Sequence, residues 1–159
     1  MIFVTLGSQK FQFNRLLIEM DRLVVNGIIK EEVFAQIGYS DYKPKNYKFK
    51  KFLDRDEFIN ITDKCDKVIT HGGTGAIVGA VKKGKKVIAV SRQEKFGEHV
   101  DNHQCEIVNQ FNDMKFIEGV NEINELSNKL LKINDYKFKK YVSNTENIVE
   151  SIDKFIMEV

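Results

Sequence analysis

Apolar runs of strand length alternate with segments of helical period along this chain, and that alternation constrains its fold more than any other feature. Ile2 to Leu6, Val33 to Ile37, Tyr47 to Phe49, Lys67 to Thr70 and Lys86 to Val90 read as strands, with a shorter one at Lys115 to Ile117. Between the first two, Phe13, Leu16, Leu17, Met20, Leu23 and Val24 recur at spacings of three and four, which gives a helix with one buried face. Asp56 to Cys65, Thr74 to Lys83, His103 to Phe111, Val120 to Leu131 and Val142 to Met157 are the further predicted helices. Such a chain builds βαβ units, so the predicted fold is α/β: a Rossmann-like open, mostly parallel sheet with helices on both faces. With 159 residues, 42% of them hydrophobic, one domain over 1–159 has enough apolar surface for a core.

Charge and cysteine usage exclude several classes. Lys and Arg number 25 against 23 Asp and Glu, so the chain lacks the basic field of a nucleic-acid binder, and no nucleic-acid partner is expected. Cys65 and Cys105 fall in different elements and form neither a metal-ligand pair nor a disulfide framework, which fits a reduced, cytoplasmic setting. Met1 runs straight into the first strand, so no signal peptide is expected. No segment approaches the roughly 18 to 20 apolar residues that cross a bilayer.

Two glycine-bearing turns follow predicted strands, where open α/β sheets bind ligands. One is Gly7-Ser8-Gln9; the other is His71-Gly72-Gly73-Thr74-Gly75. A glycine turn that opens a helix leaves backbone N–H groups pointing at the positive end of the helix dipole, a ready place for phosphate. Each glycine alone also fits a tight turn, and His71 alone also fits a buried or capping residue. Together, two turns converging on one crevice suit a pyrophosphate. The string from Gly73 misses the dinucleotide fingerprint because Gly79 comes one place late, and no Gly-Lys-Ser/Thr of a Walker loop is present. Asp54-Arg55-Asp56 resembles a metal-binding Asp-x-Asp, yet it lies where a helix N-cap falls, and no metal site is expected.

Phe3-Val4-Thr5-Leu6-Gly7-Ser8-Gln9, Thr70-His71-Gly72-Gly73, Arg92-Gln93-Glu94-Lys95-Phe96-Gly97-Glu98-His99 and Asp101-Asn102-His103-Gln104 together resemble the C-terminal-domain family of glycosyltransferase family 28. More narrowly, the chain is similar to small bacterial polysaccharide glycosyltransferase subunits and to the soluble subunit of the eukaryotic dolichol-linked N-acetylglucosaminyltransferase. The resemblance implies the donor-binding half of a GT-B enzyme. Such a half binds a UDP-sugar and works with a membrane-associated subunit that carries a lipid-linked saccharide acceptor, at the inner face of the membrane. By motif, Gly7 and Ser8 would lie near the diphosphate, His71, Gly72, Gly73, Thr74 and Gly75 would stabilise its charge, and Gln104 would meet the donor sugar. Relatives usually carry an acid, able to accept from ribose hydroxyls, where this chain has Gly79; either the nucleoside packs against bare backbone there or nucleotide binding is weaker.

The implied chemistry is inverting hexosyl transfer, of galactose or N-acetylglucosamine type, in surface polysaccharide synthesis, with neither metal nor cofactor. Fixed amides and a helix N-terminus can take up charge growing on a leaving diphosphate, and Arg92 is the loop cation nearest in sequence. Inversion needs a base for the acceptor hydroxyl; Glu98 and His99 are the candidates here, unless the partner supplies it or the two merely order a surface loop. A non-catalytic subunit of the same complex and a generic nucleotide- or flavin-binding module are the alternatives. Lysines at 43, 45, 48, 50 and 51, and at 82, 83, 85 and 86, suit either anionic lipid or protection of a sheet edge. The amphipathic C-terminal helix suits either a partner or the chain's own sheet.

Overall fold

The computed structural model describes residues 1–157, and in it six strands pair in the order β3-β2-β1-β4-β5-β6. They are β1 (Ile2–Thr5), β2 (Val33–Gln36), β3 (Lys48–Lys50), β4 (Lys67–His71), β5 (Lys86–Val90) and β6 (Glu118–Val120). Every pairing is parallel, and β1 is flanked by β2 on one side and β4 on the other. The chain therefore reverses its direction of travel across the sheet between β1 and β4. At that switch point the loops leave in opposite directions and a crevice opens beyond the strands' carboxyl ends.

The helices are α1 (Asn14–Val25), α2 (Arg55–Lys64), α3 (Thr74–Lys82), α4 (His103–Asp113), α5 (Leu126–Lys132) and α6 (Thr145–Met157). Alternate side chains of the strands point to opposite faces. Ile2, Val4, Ile69 and Ile88 meet Leu16, Leu17, Met20 and Leu23 of α1 and Leu126 and Leu130 of α5. Phe3, Val68, Val87 and Ala89 meet Ile77, Ala80 and Val81 of α3 and Val108 of α4, with Phe58 and Ile61 of α2 alongside. Both faces are covered, as the near-continuous apolar strands require.

Three expectations need correction. The last strand is not Lys115 to Ile117: Lys115 takes a left-handed turn after α4, and Ile117 is buried in the α3/α4 side of the core, so the paired segment begins at Glu118. Val120 belongs to that strand, so the predicted helix from Val120 shrinks to a 3-10 turn at Ile123–Glu125 followed by α5. The C-terminal helix does not pack on its own sheet, for none of its residues is buried, and Ile148, Val149, Ile152, Phe155 and Ile156 lie exposed. No helix among the described residues is long and apolar enough to cross a membrane. Several lysines are committed within the fold: Lys50 pairs with Glu57, Lys83 with Asp63 and Lys48 with Glu32, and Lys48 and Lys50 lie on the edge strand.

Candidate functional site

The turns after β1 and β4 meet at the switch point. Gly7 has φ of 72°, a left-handed conformation, and a Cβ built there would lie 2.6 Å from His71 Cε1. The His71 ring fills the space between the two turns, and Gly73 is required beside it because any Cβ would strike Nε2. A contact the sequence did not suggest closes the floor: a Cβ on Gly38, at the end of β2, would approach the Gly7 carbonyl oxygen to 3.0 Å. Ser8, Thr74 and Gly75 stand exposed at the mouth.

The N-terminus of α3 is left open. Gly73 is its N-cap, no side chain bonds the first amides, and its first turn holds no acid. Those N–H groups have no partner within the helix and carry the positive end of its dipole. One amide that the motif reading grouped with them is already used: Gly72 donates to Gln104 Oε1 at 3.1 Å, which also accepts from the Arg92 amide at 3.2 Å. Gln104, almost fully buried, therefore clamps the β4 and β5 turns together, with its Cβ and Val108 each 2.9 Å from where a Gly72 Cβ would stand.

His71 is neutral in this fold. Burial, with the Arg92 charge adding to it, lowers its pKa to about 4. Its Nδ1 lies 3.3 Å from Thr70 Oγ1, whose hydroxyl donates to the Thr5 carbonyl oxygen. The side chain thus presents a neutral imidazole to the crevice rather than a cation.

Arg92 does not face the crevice as a free cation. It is 1% exposed and donates to the carbonyls of Leu6 at 2.7 Å, Phe11 at 3.0 Å and Glu98 at 3.3 Å, with its guanidinium 5.1 Å from the Phe13 ring. Burial lowers its pKa to about 10. It staples the loop after β5 to the loop after β1. Glu98 is likewise fully buried; Arg15 donates to both its oxygens at 2.9 Å and the Gln93 amide adds a third bond at 3.0 Å. A carboxylate so occupied holds the loop and has no accessible oxygen for a substrate proton. Arg15, on α1 and far away in sequence, gave no signal of this pairing.

His99 sits beside Phe11, with ring centroids 5.2 Å apart, and its Nδ1 is 3.0 Å from Asp101 Oδ1. The other candidate acids resolve as structure: Asp54 accepts from the Glu57 amide while Glu57 accepts from the Asp54 amide, a capping box that opens α2.

Comparison with known proteins decides the family. The profile of the glycosyltransferase family 28 C-terminal domain matches residues 1–159. The chain belongs to that family. It is 31% identical over 87 residues to the UDP-N-acetylglucosamine transferase subunit ALG13 of Kluyveromyces lactis, across 55% of this chain and 42% of the relative. MurG of Acinetobacter baumannii superposes with a TM-score of 0.57 at 15% identity, covering 96% of this chain and 49% of that one. The glycosyltransferase SnogD from Streptomyces nogalater gives 0.52 at 17% identity, over 85% of this chain and 38% of that one. The fold is that of GT-B glycosyltransferases, and the family 28 chain spans less than half the length of each of these relatives.

Proposed function

We propose that this family 28 domain binds a UDP-sugar and forms the donor half of a sugar transferase. One observation carries the reading: the open N-terminus of α3 meets the Gly7 turn across the His71 ring, at the switch point of the sheet. An uncapped helix start beside a neutral imidazole is suited to a diphosphate. When the sugar leaves, charge grows on that diphosphate, and preorganised amides stabilise it with no metal required. Ser8, Thr74 and Gly75 stand at the mouth to meet the phosphates, and the amide nitrogen of Gln104 is the group left to reach toward the sugar.

The lead donor is UDP-N-acetylglucosamine, because ALG13 of Kluyveromyces lactis is a UDP-N-acetylglucosamine transferase subunit; a galactose donor ranks second. The acceptor is a lipid-linked saccharide presented by a membrane-associated partner, placing this chain at the cytoplasmic face of the membrane in surface polysaccharide assembly. One fact supports a partner: α6 presents an apolar face that the other described residues leave uncovered. Inverting transfer needs a base, and with Glu98 committed to Arg15 we assign that base to the partner. The commitment of Glu98 favours a second reading in which this subunit supplies donor affinity alone.

Titration calorimetry with UDP, NAD and FMN tests the first step, UDP alone being expected to bind. Equal binding of all three would leave only a generic nucleotide module. Transfer from UDP-N-acetylglucosamine by the chain with its partner, reduced in His71→Asn, would establish the enzyme; transfer unaffected by that change would remove His71 from the site.

A further inference from the structure

The loop between β5 and α4 gathers three metal-ligating side chains apart from the amides of α3. His99, Asp101 and His103 each offer one ligand atom, and these atoms all lie within 4.8 Å of one another. His99 Nδ1 stands 3.0 Å from Asp101 Oδ1, His103 Nδ1 meets the same oxygen, and the two rings lie edge to face with centroids 4.6 Å apart. The sequence signal is the spacing His-x-Asp-x-His, which a search for cysteine pairs and Asp-x-Asp passes over.

A local turn accounts for part of this: the Asp101 carboxylate accepts from the His103 amide at 3.2 Å, and the Asp101 amide donates to His99 Nδ1 at 3.4 Å. That turn gathers two imidazoles about one carboxylate oxygen, an arrangement that a metal ion can use. Two nitrogens and one oxygen make a donor set for zinc or its borderline neighbours cobalt and nickel, whereas magnesium and calcium select oxygen alone. Zinc bonds of about 2.0–2.2 Å bring ligand atoms to roughly 3.3 Å from one another, so a pair at the 4.8 Å limit of the spread closes by about 1.5 Å. The buried His99 ring, packed between Phe11 and His103, gives the set a fixed member. Asp101 and His103 are exposed, so an ion has an entry path and an outward position for water.

We propose that His99, Asp101 and His103 form a three-ligand site for one borderline divalent transition-metal ion. The site lies beside the candidate donor crevice, since His103 directly precedes Gln104 in α4 and Gln104 Oε1 accepts from the Gly72 amide. The ion is not needed for the transfer chemistry proposed above, and the two readings stand or fall separately.

The test uses the untagged full chain, stripped with a chelator and titrated with cobalt(II) while its visible d–d absorption is followed. One cobalt per chain is expected, displaced by zinc but not by magnesium. Asp101→Asn and His103→Ala, both at exposed positions, should keep the circular dichroism of the parent and weaken cobalt binding by more than about tenfold, the lower bound for losing even an outer-sphere partner. No saturable spectrum, or equal binding by the two variants, would overturn the proposal. So would a thiolate charge-transfer band, which would put the ion on Cys65 or Cys105. UDP binding measured on the same stripped protein reports on the donor site independently.

Discussion

Two helices on the same side of the sheet begin in opposite ways. At α2, Asp54 and Glu57 bond each other's amides at 2.9 and 3.1 Å, and Asp56 adds further negative charge to the first turn. At α3, a glycine cap offers no side chain, no acid occupies the first turn, and the amides open onto the switch point. Each helix start exposes the same unsatisfied donors and the same half positive charge. In α2 the chain fills that place with its own anion; in α3 it leaves the place open. The proposed donor site rests on both features, a sequence that withholds the cap and a topology that brings a second turn to face it.

The largest expected effect comes from the residue that fills the α3 side and has no counterpart at α2. His71 holds a pKa of about 4 in the fold against an ordinary value of 6.5, so unfolding takes up a proton between those limits. The stability it contributes is intact above the ordinary value and is lost as pH falls toward 4, with a full difference of roughly 3 kcal/mol. Chemical denaturation at neutral pH and near the folded pKa should show that slope in the parent and lose it in His71→Asn. An unchanged slope would mean that His71 is not buried neutral.

Next in size is an exchange of character between the two helix starts. Gly75 is exposed, and a Cβ there meets nothing within 4 Å, so Gly75→Asp gives α3 the acid it lacks without a clash. UDP affinity should fall at least tenfold, about 1.4 kcal/mol, while the helix gains some of the roughly 0.3–1 kcal/mol of a favourable dipole contact. Calorimetry and a melting curve on one sample would read both signs. Undiminished UDP binding would break the comparison. The converse change, Asp54→Ala, should cost about 1 kcal/mol of stability and leave UDP affinity alone.

The contrast also shows what the sequence made legible. Strand cores such as Lys86–Val90 and the α2 cap follow from local pattern, because apolar period and Asp-x-x-Glu capping are written in neighbouring residues. The shift of β6 to Glu118 was hidden, since Phe116 and Ile117 are as apolar as a strand but are used to pack against α3 and α4. At the site, the glycine turns stood out in sequence while the commitments of Arg92 and Glu98 did not. Those depend on carbonyls of Leu6 and Phe11 and on Arg15, which lie about 80 residues away and leave no local trace.

The smallest effect sharpens the comparison further along α3. Gly79 lies on the exposed side of that helix, a turn beyond Gly75, and a Cβ there also meets nothing within 4 Å. Both glycines line a pocket of about 200 Å³ with Phe3, Phe58 and Lys83, on the side of α3 that faces α2. A glycine inside a helix costs up to about 1 kcal/mol against alanine and somewhat less against glutamate, so Gly79→Glu should raise stability by roughly half that amount. If a ribose lies over this turn, the new carboxylate accepts its hydroxyls and UDP affinity rises several-fold, while the affinity for inorganic pyrophosphate, which has no ribose, stays flat or falls. A parallel gain for both would trace the effect to helix order alone, and a loss for UDP would mean that the nucleoside packs against the bare backbone that this glycine provides.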